Sequence, residues 1–305
     1  MAFLVSLVRY GYTPLMLIGF NGLAVWLVAS GYPLWSVGPL ALAAVLLSFL
    51  VERIAPYEEE WNEDHHGDTS KDWAHGIVYE FSTLNSLLIL PGLTLVVPNL
   101  GIWPTHLPLW AQLLVAIVVA DAMMTLIHYY SHKVGWMWRL HQVHHGVHRL
   151  YGFNGFVRHP LHHTLDLTVG MAPLILAGLP FDVAVLLGFT VVIQLLVQHT
   201  NVDVVLGPFG RLLAVGPAHR LHHVHWDGEG DVNFGLYFTV WDQLLGTFRA
   251  EAPRAPVAGD IGITGEPRFT QSYLRQLILP FVKQNAGPEP GLRREPREPN
   301  GAPAE

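Results

Sequence analysis

The stretch that decides the fold is His128-Tyr-Tyr-Ser-His132, followed by Trp138-Arg-Leu-His141-Gln-Val-His144-His145. Far downstream, the chain repeats the second pattern as His219-Arg-Leu-His222-His223. On a helix, residues three and four positions apart lie on one face, so each run would gather its imidazoles together. Neutral imidazole is a common metal ligand. The runs therefore predict a histidine-rich metal site where several helices meet, and their number favours two metal ions.

The composition indicates a membrane protein. The chain has 305 residues, of which 51% are hydrophobic and 13% charged, and its mean hydropathy is +0.33. Soluble domains carry about 25% charged residues. The absence of cysteine excludes disulfides, iron–sulfur clusters held by thiolates and zinc–thiolate sites in this sequence. The 18 histidines outnumber the 17 lysines and arginines, which is unusual for surface residues.

The apolar segments predict an all-α, polytopic membrane fold. Residues 10–51 contain no charge and are long enough for two spans, at 12–30 and 33–51. A cleaved signal peptide fits poorly, because the apolar run is too long. Residues 52–73 are polar and acidic and are predicted to form a solvent-facing loop. Further spans are predicted at 77–97 and from 109 to the His128 region. The shorter segments 165–177 and 183–197 predict a tight helical hairpin.

The distribution of lysine and arginine predicts the orientation. The turns 31–36, 101–108 and 178–182 contain neither residue, whereas the polar segments on the opposite side carry them. Positive charge stays cytoplasmic. Both termini, and a helical cap with every histidine run, should therefore face the cytoplasm.

Three regions follow from this reading. Residues 1–75 would form an N-terminal transmembrane hairpin and polar cytoplasmic loop, and residues 76–250 the catalytic domain. Residues 251–305 would form a C-terminal extension. From about residue 284 the extension is rich in proline, glycine and charge, which predicts a disordered tail.

Asp121 precedes His128 by seven residues, two helical turns away on the same face of an apolar helix. An ionisable group in a membrane span indicates a functional site. A carboxylate that accepts the second N–H of a ligating imidazole would orient that ligand. The alternative is an aspartate near the water interface.

The remaining histidines divide by context. His199 ends the last apolar helix and is favoured as a ligand because that helix returns to the histidine runs. In Arg158-His159-Pro160-Leu161-His162-His163 the proline disfavours one continuous helix face, so ligand and pocket-lining roles stay open. His148 and His225 are expected beside the ligands, and the role of His75 stays open. Three loop histidines are expected to have no special role: His65, His66 and His106.

Several other kinds of site are excluded by their missing motifs. There is no His-Glu-x-x-His, no pair of Glu-x-x-His helices, no nucleophile elbow and no phosphate-binding loop. The sequence has no basic patch of the kind that binds nucleic acid. Imidazole suits zinc, copper, iron and nickel alike. Zinc takes four ligands, so nine good candidates imply two metals or one site with spectator residues.

The order and spacing of these motifs resemble the fatty acid hydroxylase/sterol desaturase superfamily of integral-membrane di-iron oxygenases, over residues 121–247. The resemblance rests on the three histidine runs, Asp121 and the following residues: Asn154, Arg158, His159, Pro160, His199, Asn201, Asn233, Phe234, Gly235, Trp241, Asp242, Gly246 and Thr247. Two features depart from the common pattern. Tyr129 stands where many members carry arginine, and His162 and His163 are additional.

The resemblance implies an O2-dependent oxidoreductase with two ferrous ions. It implies nine ligands, namely His128, His132, His141, His144, His145, His199, His219, His222 and His223, with His159 and His163 as possible additions. It places Asp121, Asn201, Asn233 and Asp242 around them. Two electrons would come from a separate donor protein, a ferredoxin or a cytochrome b5-like protein with its reductase. The substrate would be a membrane lipid, such as a sterol or fatty acyl chain, that is hydroxylated or desaturated. We expect the protein in a bacterial inner membrane.

Three alternatives stay open at this point. A di-zinc membrane hydrolase would use the same imidazoles to activate water. A membrane haem protein would use pairs of histidines on facing helices. A non-catalytic metal-binding protein would hold exchangeable metal.

Overall fold

The computed structural model describes residues 1–282 except for Thr94, Val96, Asp227, Gly228, Pro267 and Arg268. Within these residues the fold is helical, with isolated bridges but no strand, which confirms the all-α prediction. The helices are α1 (Ala2–Ala29), α2 (Val37–Ile54), α3 (Thr69–Leu93), α4 (Leu109–Ser131), α5 (Gly135–His145), α6 (Pro160–Ala177), α7 (Phe181–Gln198), α8 (Gly216–His222), α9 (Val240–Leu245) and α10 (Tyr273–Ile278).

In the part of the chain that the structure describes, four helices are long and apolar enough to cross a membrane: Ala2–Ala29, Leu34–Ile54, Leu109–Ser131 and Phe181–Gln198. The number matches the prediction, but one member differs. The predicted span 77–97 begins in α3, where polar residues from Glu80 to Ser86 interrupt the apolar run, and α3 is not among the four. The fourth candidate span is α7, which contains 183–197, one of the two segments predicted to be short for a span; its 18 residues measure about 27 Å, close to the thickness of a bilayer core.

Helix α7 is the centre of the fold. Most of its side chains are buried, among them Leu186, Ile193 and Leu196, and it contacts α1, α2, α3 and α4. By contrast, α1 and α2 leave most of their apolar side chains exposed. A helix that is apolar on all sides is stable only inside a protein core or in lipid. The arrangement is therefore one buried helix inside a ring of helices that face the membrane.

The hairpin between α6 and α7 depends on one glycine. Gly178 follows the last residue of α6 and lies in the left-handed region, with φ of +93°. Its backbone N–H donates to the carbonyl of Ile175. A Cβ there would lie 2.6 Å from Oδ1 of Asn99. A side chain is thus excluded both by backbone conformation and by space.

The prediction of a solvent-facing loop at residues 52–73 holds for only part of the segment, in which Glu59, Glu60 and residues 63–67 are exposed. Glu52, Asp68, Lys71 and Asp72 are buried, and α3 already begins at residue 69. Nη2 of Arg149 lies 2.7 Å from Oδ1 of Asp68, so this segment is tied to the chain that follows α5. Composition misled at these four positions, because their side chains bond other groups of the protein instead of facing water. The three-region division stays a prediction, and the predicted disordered tail, 284–305, lies outside the described residues.

Candidate metal centre

The histidine runs lie at the ends of four helices that meet on one side of the fold. His128 and His132 come from the end of α4, and the second run forms the last turns of α5. His199 follows the last residue of α7, and α8 carries the third run. The imidazoles of the nine predicted ligands are buried, apart from the half-buried His128.

The nine imidazoles form two groups, within each of which the ligand nitrogens lie within 4.8 Å of one another. We call them the first histidine group (His128, His132, His141, His145 and His222) and the second histidine group (His144, His199, His219 and His223). In each His-x-x-His-His run the first and last histidines, four residues apart, join one group, whereas the middle histidine is turned about 100° from its neighbour and joins the other. The two groups therefore share α5 and α8, and the rings of His145 and His223 stack with centroids 4.6 Å apart.

The nitrogen spacing fits ligation of one ion by each group. In the second group, Nε2 of His199 lies 3.2 Å from Nε2 of His144 and 3.0 Å from Nε2 of His219. Nε2 atoms of His141 and His145 in the first group are 3.2 Å apart. Two nitrogens at this spacing, each about 2.1 Å from a shared ion, would subtend about 90–100° there. This is an ordinary angle between neighbouring ligands.

One loop orients three ligands of the first group. Nδ1–H of His128 donates to the carbonyl of Phe234 at 2.8 Å, and Nδ1–H of His222 donates to the carbonyl of Val232 at 2.8 Å. Nδ1 of His132 lies 2.9 Å from the carboxylate of Asp231. The Nε2 atoms of all three are buried without a partner in the described part of the chain. Metal-ligating histidines characteristically donate their second N–H in this way, so these orphaned nitrogens fit a metal ion.

The second group is held by carbonyls from two other elements. Nδ1–H of His144 donates to Val157 at 3.0 Å, and Nδ1–H of His199 donates to Leu195, one turn earlier, at 3.1 Å. These bonds fix Nε2 as the nitrogen that faces the group.

Burial keeps the imidazoles outside the membrane spans neutral. Desolvation first, and neighbouring imidazoles second, lower the pKa well below the usual value for six of them: His141, His144, His145, His219, His222 and His223. Desolvation also lowers the pKa of His199, to about 3. A neutral ring has a free lone pair, so these side chains are ready to bind a cation at neutral pH.

Asp121 does not accept from an imidazole, contrary to our expectation. Its carboxylate accepts from the backbone N–H groups of Leu236, Tyr237 and Phe238 at 2.8–3.1 Å and from Nε1 of Trp241 at 2.8 Å. Seven residues span about 10 Å of helix, which is too far for a direct contact with the ring of His128. Asp121 instead anchors the chain that follows Phe234.

The other three predicted supporting residues also hold loops. Asp242 accepts from the backbone of Phe234 at 2.7 Å and of Gly235 at 2.8 Å. Asn233, in the left-handed region with φ of +54°, donates to the carbonyl of Ala218 at 2.8 Å. Asn201 bonds the backbone of Glu58. These contacts fix the loops from which the ligands and their acceptors project.

Two supporting residues were missed. Oε1 of Glu52, buried in α2, accepts from the backbone N–H of Gly152 at 2.7 Å and of Asn201 at 3.1 Å. A signal existed, since Glu52 is the first ionisable residue after a long uncharged run. No sequence pattern identified Asp231, whose carboxylate lies beside His132.

The remaining histidines lie outside both groups. Nδ1 of His159 caps α6 by accepting from the N–H of Leu161, and Nε2 of His163 lies 3.1 Å from Oγ1 of Thr83. Ring nitrogens of His75 contact Arg158 and Gln276 instead. Three more have these contacts: His162 lies against His141 and Ser131, His148 against His66, and His225 against Gly259.

A small cavity of about 10 Å³ lies beside the first histidine group, between α4, α6 and α7. Its walls include Met124, His128, Arg158, Phe234 and Leu236. Arg158 is held there by Asp166, with Nη1 2.6 Å from the carboxylate. Both apolar and polar side chains thus line this cavity.

Comparisons with known proteins point to one family. The sequence model of the fatty acid hydroxylase family matches residues 113–247. Ornithine lipid hydroxylase of Rhizobium tropici is 32% identical over 266 residues, which cover 84% of this chain and 78% of that protein. Alkylglycerol monooxygenase of Caenorhabditis elegans is 29% identical over 51% of this chain and 30% of its own length. The human alkylglycerol monooxygenase is 32% identical over 41% of this chain and 27% of its own length. No solved structure matches.

Proposed function

Because this chain belongs to the fatty acid hydroxylase family, we propose that it is a membrane di-iron oxygenase that uses O2 and two electrons to hydroxylate a C–H bond of a membrane lipid. The single observation that carries the proposal is the pair of adjacent imidazole groups, five in one and four in the other. Desaturation of the same kind of bond is the second possible outcome of such a centre.

The two groups would hold one iron ion each. Iron bound there would supply the activation of O2 and the oxidation of an unreactive C–H bond. Nine imidazoles with buried, neutral rings suit divalent iron. The zinc of a hydrolase is usually held by three protein ligands and keeps a further position open, whereas the two groups offer five and four imidazoles. The ligand number supports iron over the di-zinc alternative.

The protein's own part is to orient the ligands and to exclude water. The carbonyls of Val232 and Phe234 fix two rings of the first group, and burial keeps bulk water from the second group. The cavity beside His128 lies against α4 and α7, both of which are candidate spans. We infer that the reacting carbon of the lipid approaches the first histidine group on this side, and that the cavity, which has room for about one water molecule, widens when the alkyl chain enters.

The orientation and the electron supply belong to the same proposal. The lysine and arginine distribution supports a cytoplasmic site and cytoplasmic termini in a bacterial inner membrane. A cytoplasmic ferredoxin, or a cytochrome b5-like protein with its reductase, would reach the centre from that side. The sequence contains no cysteine with which to bind an iron–sulfur cluster.

The relatives support a polar membrane lipid as the substrate and hydroxylation as the reaction. One relative is named for ornithine lipid and two for alkylglycerol. The test is comparative lipid mass spectrometry of cells with and without the gene, and of cells that carry His222→Ala. We expect a lipid with one added oxygen only with the intact gene. An unchanged lipid profile, or a product formed equally without O2, would contradict the proposal.

A further inference from the structure

A second cavity lies apart from the histidine groups, where α2 ends and α3 begins. Its volume is about 390 Å³, within the range of small-ligand sites. The residues that matter are Phe49, Glu52, Arg53, Trp61, Asp64 and Trp73. None of the nine candidate ligands lines it.

The cavity presents both signs of charge. Arg53 donates only to the carbonyl of Phe49 on its own helix, at 3.0 Å, and has no carboxylate partner among the described residues. Arg149, the second cation in the wall, is committed to Asp68. Glu52 and Asp64 supply negative charge. The guanidinium of Arg53 therefore has no ion-pair partner among the described residues, and the carboxylates of Glu52 and Asp64 lie in the same cavity wall.

Aromatic side chains complete the wall and leave one donor without an acceptor. The indole N–H of Trp61 has no hydrogen-bond partner in the described chain, although only 1% of this residue is exposed. An orphaned N–H at this depth destabilises the fold unless an acceptor binds it. The rings of Phe49 and Trp73 stack 6.1 Å apart. Aromatic faces attract ammonium groups.

The position of the cavity indicates a lipid. Phe49 and Arg53 occupy the last turns of the candidate span Leu34–Ile54, and 47% of Trp73 is exposed. Tryptophan and arginine at the end of a span mark the level of the lipid headgroups. A molecule that enters here would carry its polar part into the cavity and its chains into the bilayer.

We propose that this cavity binds the zwitterionic headgroup of a membrane lipid. The anionic group of the headgroup is bound by Arg53 and the indole N–H of Trp61. Its ammonium group lies against the aromatic faces, close to Asp64. Glu52 links the cavity wall to Asn201, two residues beyond His199, so the bound lipid lies beside the segment that carries a ligand of the second histidine group.

The test measures lipid binding without turnover, so its result does not depend on the proposed oxygenase activity. The purified full chain in detergent is titrated with phosphatidylethanolamine, phosphatidylglycerol or diacylglycerol and observed by native mass spectrometry. We expect tight binding of the zwitterionic phosphatidylethanolamine. Arg53→Gln should weaken it about tenfold, as the loss of a charge-assisted hydrogen bond predicts. Trp61→Phe should weaken it several-fold, since it removes only the N–H.

Arg211→Gln is the matched control, because Arg211 is an exposed arginine that does not line the cavity. It should bind like the wild type. Thermal melting checks that each variant is folded, and the exposed Arg53 carries the test if Trp61→Phe is unstable. Equal binding of phosphatidylglycerol, or unchanged binding by Arg53→Gln, would overturn the proposal and indicate annular lipid only.

Discussion

Replacing Asp121 by asparagine should damage the first histidine group from a distance. Each carboxylate oxygen accepts two N–H groups: Oδ1 those of Leu236 and Tyr237, and Oδ2 those of Phe238 and Trp241. An asparagine amide keeps one acceptor oxygen and turns an NH2 group toward the other two donors. Two buried donors lose their acceptor, at about 1–3 kcal/mol each, so the folded chain should lose about 2–6 kcal/mol.

The loss should appear as missing metal as well as lower stability. The chain anchored by Asp121 follows directly on Phe234, whose carbonyl orients His128. We expect the melting temperature of the purified protein to fall and its iron content to drop from two ions per chain toward one. Thr125→Val is the control, because Thr125 is also buried in α4 and its hydroxyl bonds only its own helix. Wild-type iron content and melting temperature in Asp121→Asn would refute the reasoning.

Two further predictions concern single ligands and their partners. His222→Ala and His144→Ala each remove one ligand, from the first and the second histidine group respectively, and should abolish lipid hydroxylation and lower the iron content while membrane insertion persists. His66→Ala, in an exposed loop, should change neither quantity, and full activity in either ligand variant would count against the site. Asp231→Asn weakens the acceptor of one ligand N–H and should lower iron affinity about 10–100-fold in competition with a chelator. Asp203→Asn, a surface ion-pair partner, serves as its control, and equal affinities would show that Asp231 does not support the metal.

Most of the candidate ligands could be predicted from the sequence, because helical spacing places residues three and four apart side by side. All eight histidines selected in this way lie in the two groups, as does His199, which was selected because its helix returns to the histidine runs. Their division was not foreseeable, because it depends on how α5 and α8 are rotated about their axes. That rotation is set by tertiary packing, as is the contact between His199 and His219.

The errors share one physical cause. Residues 52–73 and Asp121 were interpreted from their polarity alone, which reports whether a side chain avoids lipid but not which partner satisfies it. Glu52 and Asp121 bond backbone N–H groups from segments far away in the sequence. Such partners become visible only when the loops are in place. The apolar spans, by contrast, depend on local composition and were largely predictable.

The most direct test of the central claim is to count and identify the metal in active, purified protein by elemental analysis together with Mössbauer spectroscopy. We predict two iron ions per chain, magnetically coupled in the oxidised state, and loss of that coupling in His222→Ala. Active protein that contains zinc instead, or a single isolated iron, would contradict the account.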